Sequence, residues 1–314
     1  MTDARRPAHP ANELNELPGE EWLYFTKSVL TTAYPSELGH TARKAHGANK
    51  PPRLMARLIE FFTRSGELVL DPFAGVGGTL IGAAIARGPR RALGIELDPR
   101  WVAIHESVVA ALAAERDGRG PDIADLGQTD PGGPRRFDPS GIQMRMGDAL
   151  AVLPTLEDAS VDFVATDPPY NIQLPLTMAG GALAEAHANR RTDYAMISDA
   201  AADFANAPDY PAFLDLMERA FTEVARVLRP GRYAVVIVRD AYQDGRYQFV
   251  GSDLAARADA VGLVPKGDII WHQAGTRLRP YGYPRVFVPN IAHQHVLVLR
   301  REPATRQARR RLSR

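Results

Sequence analysis

Apolar residues fall along this chain in two patterns. The first is the short unbroken run: ELVLDP (67–72), ALGIEL (92–97), VDFVAT (161–166), YAVVIV (233–238), GDIIWH (267–272) and HVLVLRR (295–301), with the more polar IQMRMGD (142–148) beside them. Runs of this length, rich in β-branched residues and bounded by turn formers, predict buried strands. The second is the helical period. It appears in LMARLIEFF (54–62), in the small-residue stretch GGTLIGAAIARG (77–88) and from Arg100 to about Arg116. It returns in ALAVLPTL (149–156), in PAFLDLMERAFTEVARVLRPG (211–231) with its stop signal Pro230-Gly231, and around residues 250–262. Strands and helices alternate, which predicts a doubly wound, mainly parallel α/β sheet.

Three stretches lack either period. Residues 1–20 read as a flexible N-terminal arm, 116–141 as a Gly/Pro/Asp-rich surface loop, and 172–208 as an Ala-rich excursion. Residues 302–314, with the run RQARRRLSR, read as a basic C-terminal tail. Residues 21–301 are therefore expected to form one catalytic-sized domain, since the 116–141 loop separates no two complete cores.

Composition narrows the class. The chain has 314 residues, 45% hydrophobic and 24% charged, which is ordinary for a globular protein. No apolar run reaches the length of a membrane span, and the N-terminus lacks the apolar segment of a secretory signal; the expected address is the cytoplasm. There is no cysteine, which removes disulfides, thiolate metal sites and cysteine nucleophiles. Net charge is only +1, so any contact with nucleic acid must be local. Lysine occurs only at Lys27, Lys44, Lys50 and Lys266, and arginine carries the rest of the positive charge.

LVLDPFAGVGGTL (68–80) ends a strand in Asp71 and opens a helix through Gly75, Gly77 and Gly78. Glycine turns of this kind bring backbone close to a ligand at a helix N-terminus. A phosphate loop would need a Gly-Lys-Ser/Thr ending, and a dinucleotide fingerprint would need a third spaced glycine; neither is present. S-adenosylmethionine suits the turn better, with Asp71 for its ammonium and Phe73 as an apolar wall. In GIELDPRW (94–101), Glu96 ends the next strand about where such sites hold ribose hydroxyls. In MGDAL, Asp148 follows the third strand, positioned for an adenine amino group.

VDFVATDPPYNIQ (161–173) runs a buried strand into Asp167, Pro168, Pro169 and Tyr170. Proline cannot continue a central strand, so the strand must end there, at the sheet edge where α/β folds bind ligands. A carboxylate and a preorganised carbonyl at that edge could hold both N–H groups of an amine, with Tyr170 as a stacking face.

These motifs resemble the DNA amino-methyltransferases that modify adenine N6 or cytosine N4. DPFAGVG is similar to the family's cofactor motif and TDPPYN to its catalytic motif, with GIELDPRW and GDAL between them in order. HGANKPPRLMARLIEFF, including Lys50 and Pro51, resembles the segment that closes over the methionine end of the cofactor. RVLRPGRYAVVIV, GDIIWHQ and HQHVLVLRR resemble later strands. The resemblance covers most of residues 40–301. It implies a Rossmann-like methyltransferase sheet with a final antiparallel strand, S-adenosyl-L-methionine as cofactor, and double-stranded DNA with a flipped base as substrate. It further implies Asp167, Pro168, Pro169 and Tyr170 as the catalytic set. Lys50, Pro51, Asp71, Phe73, Gly75, Gly77, Glu96 and Asp148 would form the cofactor set.

The chain departs from the family in two ways. The cofactor motif precedes the catalytic motif, so the order looks circularly permuted, and no target-recognition domain of ordinary size is present. The final strand also reads His293-Gln294-His295 where the family more often has His-Glu.

Asp at the first position of the catalytic motif leans toward adenine by family habit, with cytosine N4 the alternative. GTRLRPYGYPRVFVPN (275–290) interleaves Arg277, Arg279 and Arg285 with Tyr281, Tyr283 and Phe287, which suits either DNA contact or a proline-rich loop packed on the sheet. Arg190 and Arg191 are further DNA candidates. His293 and His295 share a strand face, but with no third ligand in the pattern no metal is expected. A restriction endonuclease and a homodimer are partners that the family leaves open. The rivals are a tRNA guanine-N2 methyltransferase with similar motifs and a non-catalytic binding module of the same fold.

Overall fold

The computed structural model describes residues 8–34, 37–47, 49–117, 136–169, 200, 202–243, 245–276 and 278–303. Tyr170, Arg190, Arg191 and Arg277 lie outside them, as do residues 118–135 of the expected surface loop, 172–199 and 201 of the later excursion and the tail from residue 304.

The chain opens with α1 (Gly19–Phe25), a two-residue strand β1 (Val29–Leu30), the single turn α2 (His40–Arg43) and α3 (Pro52–Phe62). Alternation then sets in: β2 (Leu68–Asp71), α4 (Gly78–Ala84), β3 (Arg91–Glu96), α5 (Pro99–Asp117), β4 (Ile142–Met146), α6 (Ala149–Val152), β5 (Val161–Thr166), α7 (Tyr210–Val227) and β6 (Leu228–Val238). A small hairpin, β7 (Ala241–Gln243) and β8 (Arg246–Gln248), precedes α8 (Val250–Ala260), β9 (Leu263–His272) and β10 (His293–Arg301). The main sheet has eight strands in the order β1-β9-β10-β6-β5-β2-β3-β4. Every pairing is parallel except those of β10, which runs antiparallel to both β6 and β9. The expected doubly wound sheet with a final antiparallel strand is what forms.

The central strands read as unbroken apolar runs because both of their faces are covered. Strand alternation sends Val69, Phe163, Val235, Ile237 and Val296 to one cluster with Leu54, Ile59 and Phe62 of α3 and Leu80 of α4. It sends Leu70, Val164, Val236 and Leu297 to the other, with Phe213, Met217 and Phe221 of α7 and Leu254 of α8. Shifting a strand by one residue would exchange these partners, so the register is pinned from both sides.

Several expectations need correcting. The stretch expected to be a flexible arm is docked from about Asn12 onward: Asn15 is fully buried, its Nδ2 donates to Phe61 O at 2.6 Å, and its Oδ1 accepts from Trp22 Nε1 at 3.1 Å. Leu17 is buried beside it, because the apolar face of α3 extends past the sheet. Pro230-Gly231 does lie beyond the helix, but the strand has already begun at Leu228. The β5–β6 register shifts between Val161 and Phe163, and that irregularity takes up the dipeptide. The last two strands begin earlier than their apolar runs, at Leu263 and His293, because backbone pairing continues past the apolar side chains. At the end of the expected surface loop, Phe137 is buried against Ile81 of α4, Ile85 just past it and Val108 of α5. Near the end of the 172–208 excursion Phe204 and Ala205 are buried as well.

Candidate active site

The C-terminal ends of β2, β3, β4 and β5 meet around one cavity of about 450 Å³. Its walls include Lys50, Phe73, Gly75, Glu96, Asp148, Asp167, Pro168 and Pro169. Eight residues singled out from separate stretches of sequence thus converge on one space.

The glycine turn explains the geometry. After β2 the chain turns at Asp71-Pro72-Phe73, and Ala74 N donates to Ile95 O of the neighbouring strand at 2.9 Å. Gly75 N donates to Glu96 Oε2 at 2.7 Å, while Glu96 Oε1 accepts from Asp98 N at 2.8 Å. The carboxylate of Glu96 therefore braces the turn and faces the cavity together. Burial is the main influence on it and, despite the two N–H donors, raises its pKa to about 7. Gly77 has a φ of +77°, and a Cβ there would run into the His105 ring of α5, so this corner admits only glycine.

Three residues expected in the cofactor set do not line the cavity: Asp71, Gly77 and Pro51. Asp71 is 3% exposed and lies beneath it, accepting from Thr79 Oγ1 and Thr166 Oγ1, both at 2.6 Å, and from Phe73 N at 3.1 Å. Burial raises its pKa to about 6. It ties the ends of β2 and β5 to α4 from below the cavity floor. Gly77 shapes the turn from behind, and Pro51 immediately precedes α3. Asp148 does face the cavity but also caps α6, its Oδ1 accepting from Leu150 N at 2.9 Å. A carboxylate retains further acceptor capacity after one such bond.

At the other end, Lys50 Nζ forms an ion pair with Asp167 Oδ2, with side-chain exposures of 7% and 15%. The Lys50 segment is held there by the buried Arg43, whose Nη2 donates to Lys50 O at 2.7 Å. The lysine expected at the cofactor thus sits against Asp167, the carboxylate expected in the catalytic set.

Sequence reasoning missed much of the wall. His46 and Trp101 meet edge to face at 4.8 Å, and Phe73 meets Phe204 similarly at 5.0 Å. Burial, with the Lys50 charge next in effect, lowers the His46 pKa to about 4, so the ring is neutral at pH 7. Arg239, Trp271, Gln273 and Gln294 complete the side near Asp167. Gln294 Oε1 is enclosed without a donor among the described residues, an acceptor that a ligand N–H would satisfy. The HQH motif held a partial signal: strand alternation turns Gln294 toward the cavity and His293 and His295 to the opposite face. There His295 Nδ1 lies 2.8 Å from Asp268 Oδ2 and Nε2 lies 3.2 Å from Asp240 Oδ2, an ion-pair contact off the hydrogen-bond direction. The third group missing from the histidine pattern is Asp240, brought there by the end of β6.

Of the expected DNA residues, Arg279, Tyr281 and Arg285 lie on the β9–β10 loop. Tyr281 lines a depression adjoining the main cavity. Arg279 and Arg285 line neither space.

Relatives point the same way. The chain is 45% identical over 80 residues to YubD of Escherichia coli strain K12, covering 34% of that protein. It is 38% identical over 76 residues to the Type II methyltransferase M.MthZI of Methanothermobacter thermautotrophicus, covering 21% of it. It is 32% identical over 98 residues to the DNA adenine methyltransferase YhdJ of Escherichia coli strain K12, covering 29% of it. The matches thus span about a third or less of these curated relatives. Among solved structures, the DNA modification methylase TTHA0409 of Thermus thermophilus, crystallised with S-adenosyl-L-methionine, is 28% identical. The match has a TM-score of 0.34 and covers 54% of this chain and 60% of that one. The sequence profile of the N6/N4-type DNA methylases matches residues 5–107 and 161–311, most of the chain on both sides of the cavity, and the protein belongs to that DNA methylase family.

Proposed function

We propose that the protein transfers the methyl group of S-adenosyl-L-methionine to an exocyclic amine of a DNA base flipped from the duplex, adenine N6 before cytosine N4. The observation that carries this reading is the single cavity shared by Glu96 and Asp148 at one end and Asp167-Pro168 at the other. The cofactor supplies an electrophilic methyl on a sulfonium. The residues present suit it: Glu96 has the charge and position for ribose hydroxyls, Asp148 can accept from the adenine amine, and Phe73, Trp101 and Phe204 give apolar walls.

An exocyclic amine is a poor nucleophile because its lone pair is delocalised into the ring. Asp167 and the Pro168 carbonyl would each accept one of its N–H groups, pyramidalising the nitrogen and aiming its lone pair. Pro168-Pro169 stiffens the backbone, so the carbonyl is preorganised before the base arrives. Lys50 pairs with one oxygen of Asp167, and a carboxylate keeps acceptor capacity beyond one such bond. The methionine carboxylate of the cofactor is a suitable further partner for the ammonium. Drawing the ammonium toward it would leave more of the Asp167 carboxylate to the amine. Tyr170 is assigned the stacking face, on its place in the motif alone. Adenine is favoured by the aspartate at the motif's first position, and the relative YhdJ is a DNA adenine methyltransferase.

Incubation with cofactor and unmethylated genomic DNA, followed by digestion and mass spectrometry of nucleosides, should yield N6-methyladenine. N4-methylcytosine would reassign the base, and methylation of tRNA alone would overturn the DNA reading. Asp167→Ala should abolish transfer with cofactor affinity at least that of wild type, because Lys50 is then released to the cofactor. A variant keeping most of its turnover would refute the assignment.

A further inference from the structure

The described residues include few large apolar side chains left in water, and five of them crowd one stretch of ten residues in the β9–β10 loop. Leu278, Tyr281, Tyr283, Val286 and Phe287 are 71%, 37%, 81%, 63% and 85% exposed. Single exposed apolar residues are ordinary, but a cluster of this kind marks a surface built to be covered.

The loop is not exposed for want of internal structure. Asn290 clamps its base, accepting from Arg279 N and donating to Arg279 O, both at 2.8 Å. Tyr283 N donates to Pro280 O at 3.2 Å, and Arg285 N and Val286 N both donate to Gly282 O, at 2.8 and 2.9 Å. Gly282 has a φ of +75°, and a Cβ there would strike the Val286 carbonyl, so the turn is specified. These bonds hold two aromatic rings outward on a braced support.

The loop's position supplies the occupant. Arg239, Trp271 and Gln273 line both the active-site cavity and the adjoining depression, whose far side is formed by Tyr281, Val288 and Asn290. The apolar tip therefore stands at the rim of the space that would receive a flipped base. Arg279 lies at the loop's base, and the exposed Arg285 lies between the two aromatics. A base leaving a duplex opens a gap in the stack, and a planar apolar side chain can fill it. Aromatics with arginines also occur on protein interfaces; it is the loop's place beside the base-receiving cavity that favours stacked bases bounded by phosphates.

Resting on the methyltransferase reading above, we infer that this loop is a duplex wedge. Tyr283 and Phe287 enter the stack as the target base leaves, while Arg279 and Arg285 hold the flanking phosphates.

The test compares wild-type enzyme with Tyr283→Ala, Phe287→Ala and the double variant on an oligonucleotide duplex carrying the mapped methylation site. The same strand with its target base set opposite an abasic position is the second substrate. Both side chains are largely exposed, so the melting temperatures should match. On the intact duplex each single variant should lose roughly 5- to 150-fold in kcat/KM, the range expected for one lost base-stacking contact, and the double variant more. A fluorescent 2-aminopurine at the target position should show reduced extrusion. On the unpaired target most of the loss should disappear, because no closed stack has to be opened. Duplex methylation at the wild-type rate overturns the wedge. An equal loss on both substrates also overturns it, making the loop a general docking contact. Loss of activity together with conversion of a dimer to a monomer in size-exclusion chromatography assigns the tip to a second copy of the chain instead. A wild-type enzyme that methylates neither substrate overturns the parent reading, and the wedge with it.

Discussion

Glu96 shows how one side chain serves both fold and ligand. Its carboxylate accepts Gly75 N and Asp98 N, which close the turn, and still faces the cavity. With its pKa raised to about 7 by burial, it is partly protonated at neutral pH. Two ribose hydroxyls donating to it would favour the ionised form, so binding would release a proton below that value. Affinity for S-adenosylmethionine should therefore rise with pH up to about 7 and level off above it. In titration calorimetry the change should approach tenfold per pH unit on the acid side, as linkage requires. Glu96→Gln should bind more weakly and show a flat profile; a wild-type profile without slope would remove Glu96 from the ribose site. The Lys50–Asp167 pair has a different character. A nearly dry ion pair adds little net stability compared with apolar side chains, and losing one partner is what costs. In the proposed reaction such a pair would hold the Asp167 carboxylate in place until another anion draws the lysine away.

The strands β6, β9 and β10 are joined by more than their ladders. His295 on β10 bridges Asp240, just past β6, and Asp268 on β9, and these carboxylates raise its pKa to about 10. A folded pKa above the ordinary histidine value near 6.5 gives stability that is complete below that value. The contribution declines as pH rises from there and is gone once pH has passed through about 10. The melting temperature of wild type should accordingly fall across this window more steeply than that of His295→Gln; parallel curves would show that the bridge contributes nothing. The elements also differ in how readily the sequence announces them. Central strands buried on both faces leave unbroken apolar runs, so β2, β3, β5, β6 and β10 were all anticipated. The two-residue β1 and the β7–β8 hairpin left none, since such short segments acquire order only from the strand or helix they pair with.

Across the whole molecule, the charge balance of +1 argues against a general electrostatic grip on nucleic acid. Attraction must come from local groups such as those on the β9–β10 loop. In the described residues no helix is long and apolar enough to cross a membrane. If Arg285 meets a phosphate, Arg285→Ala should weaken DNA binding to a similar extent on every sequence. It should also reduce the slope of log affinity against log salt by about one. An unchanged slope in fluorescence anisotropy would place Arg285 outside the contact.

The alternation of strands and helices, the glycine turn and the proline-stopped strand were all readable along the chain, because each depends on residues a few positions apart. The motifs also named eight residues that line the cavity. The side chain that occupies each partner was not readable. Lys50 meets Asp167 across 117 positions, Asp71 turns inward to Thr166, and Asp240 joins two histidines more than fifty residues away. Those contacts depend on strand order and on which face a residue takes, and both are settled only when the sheet is assembled and its two cores are filled.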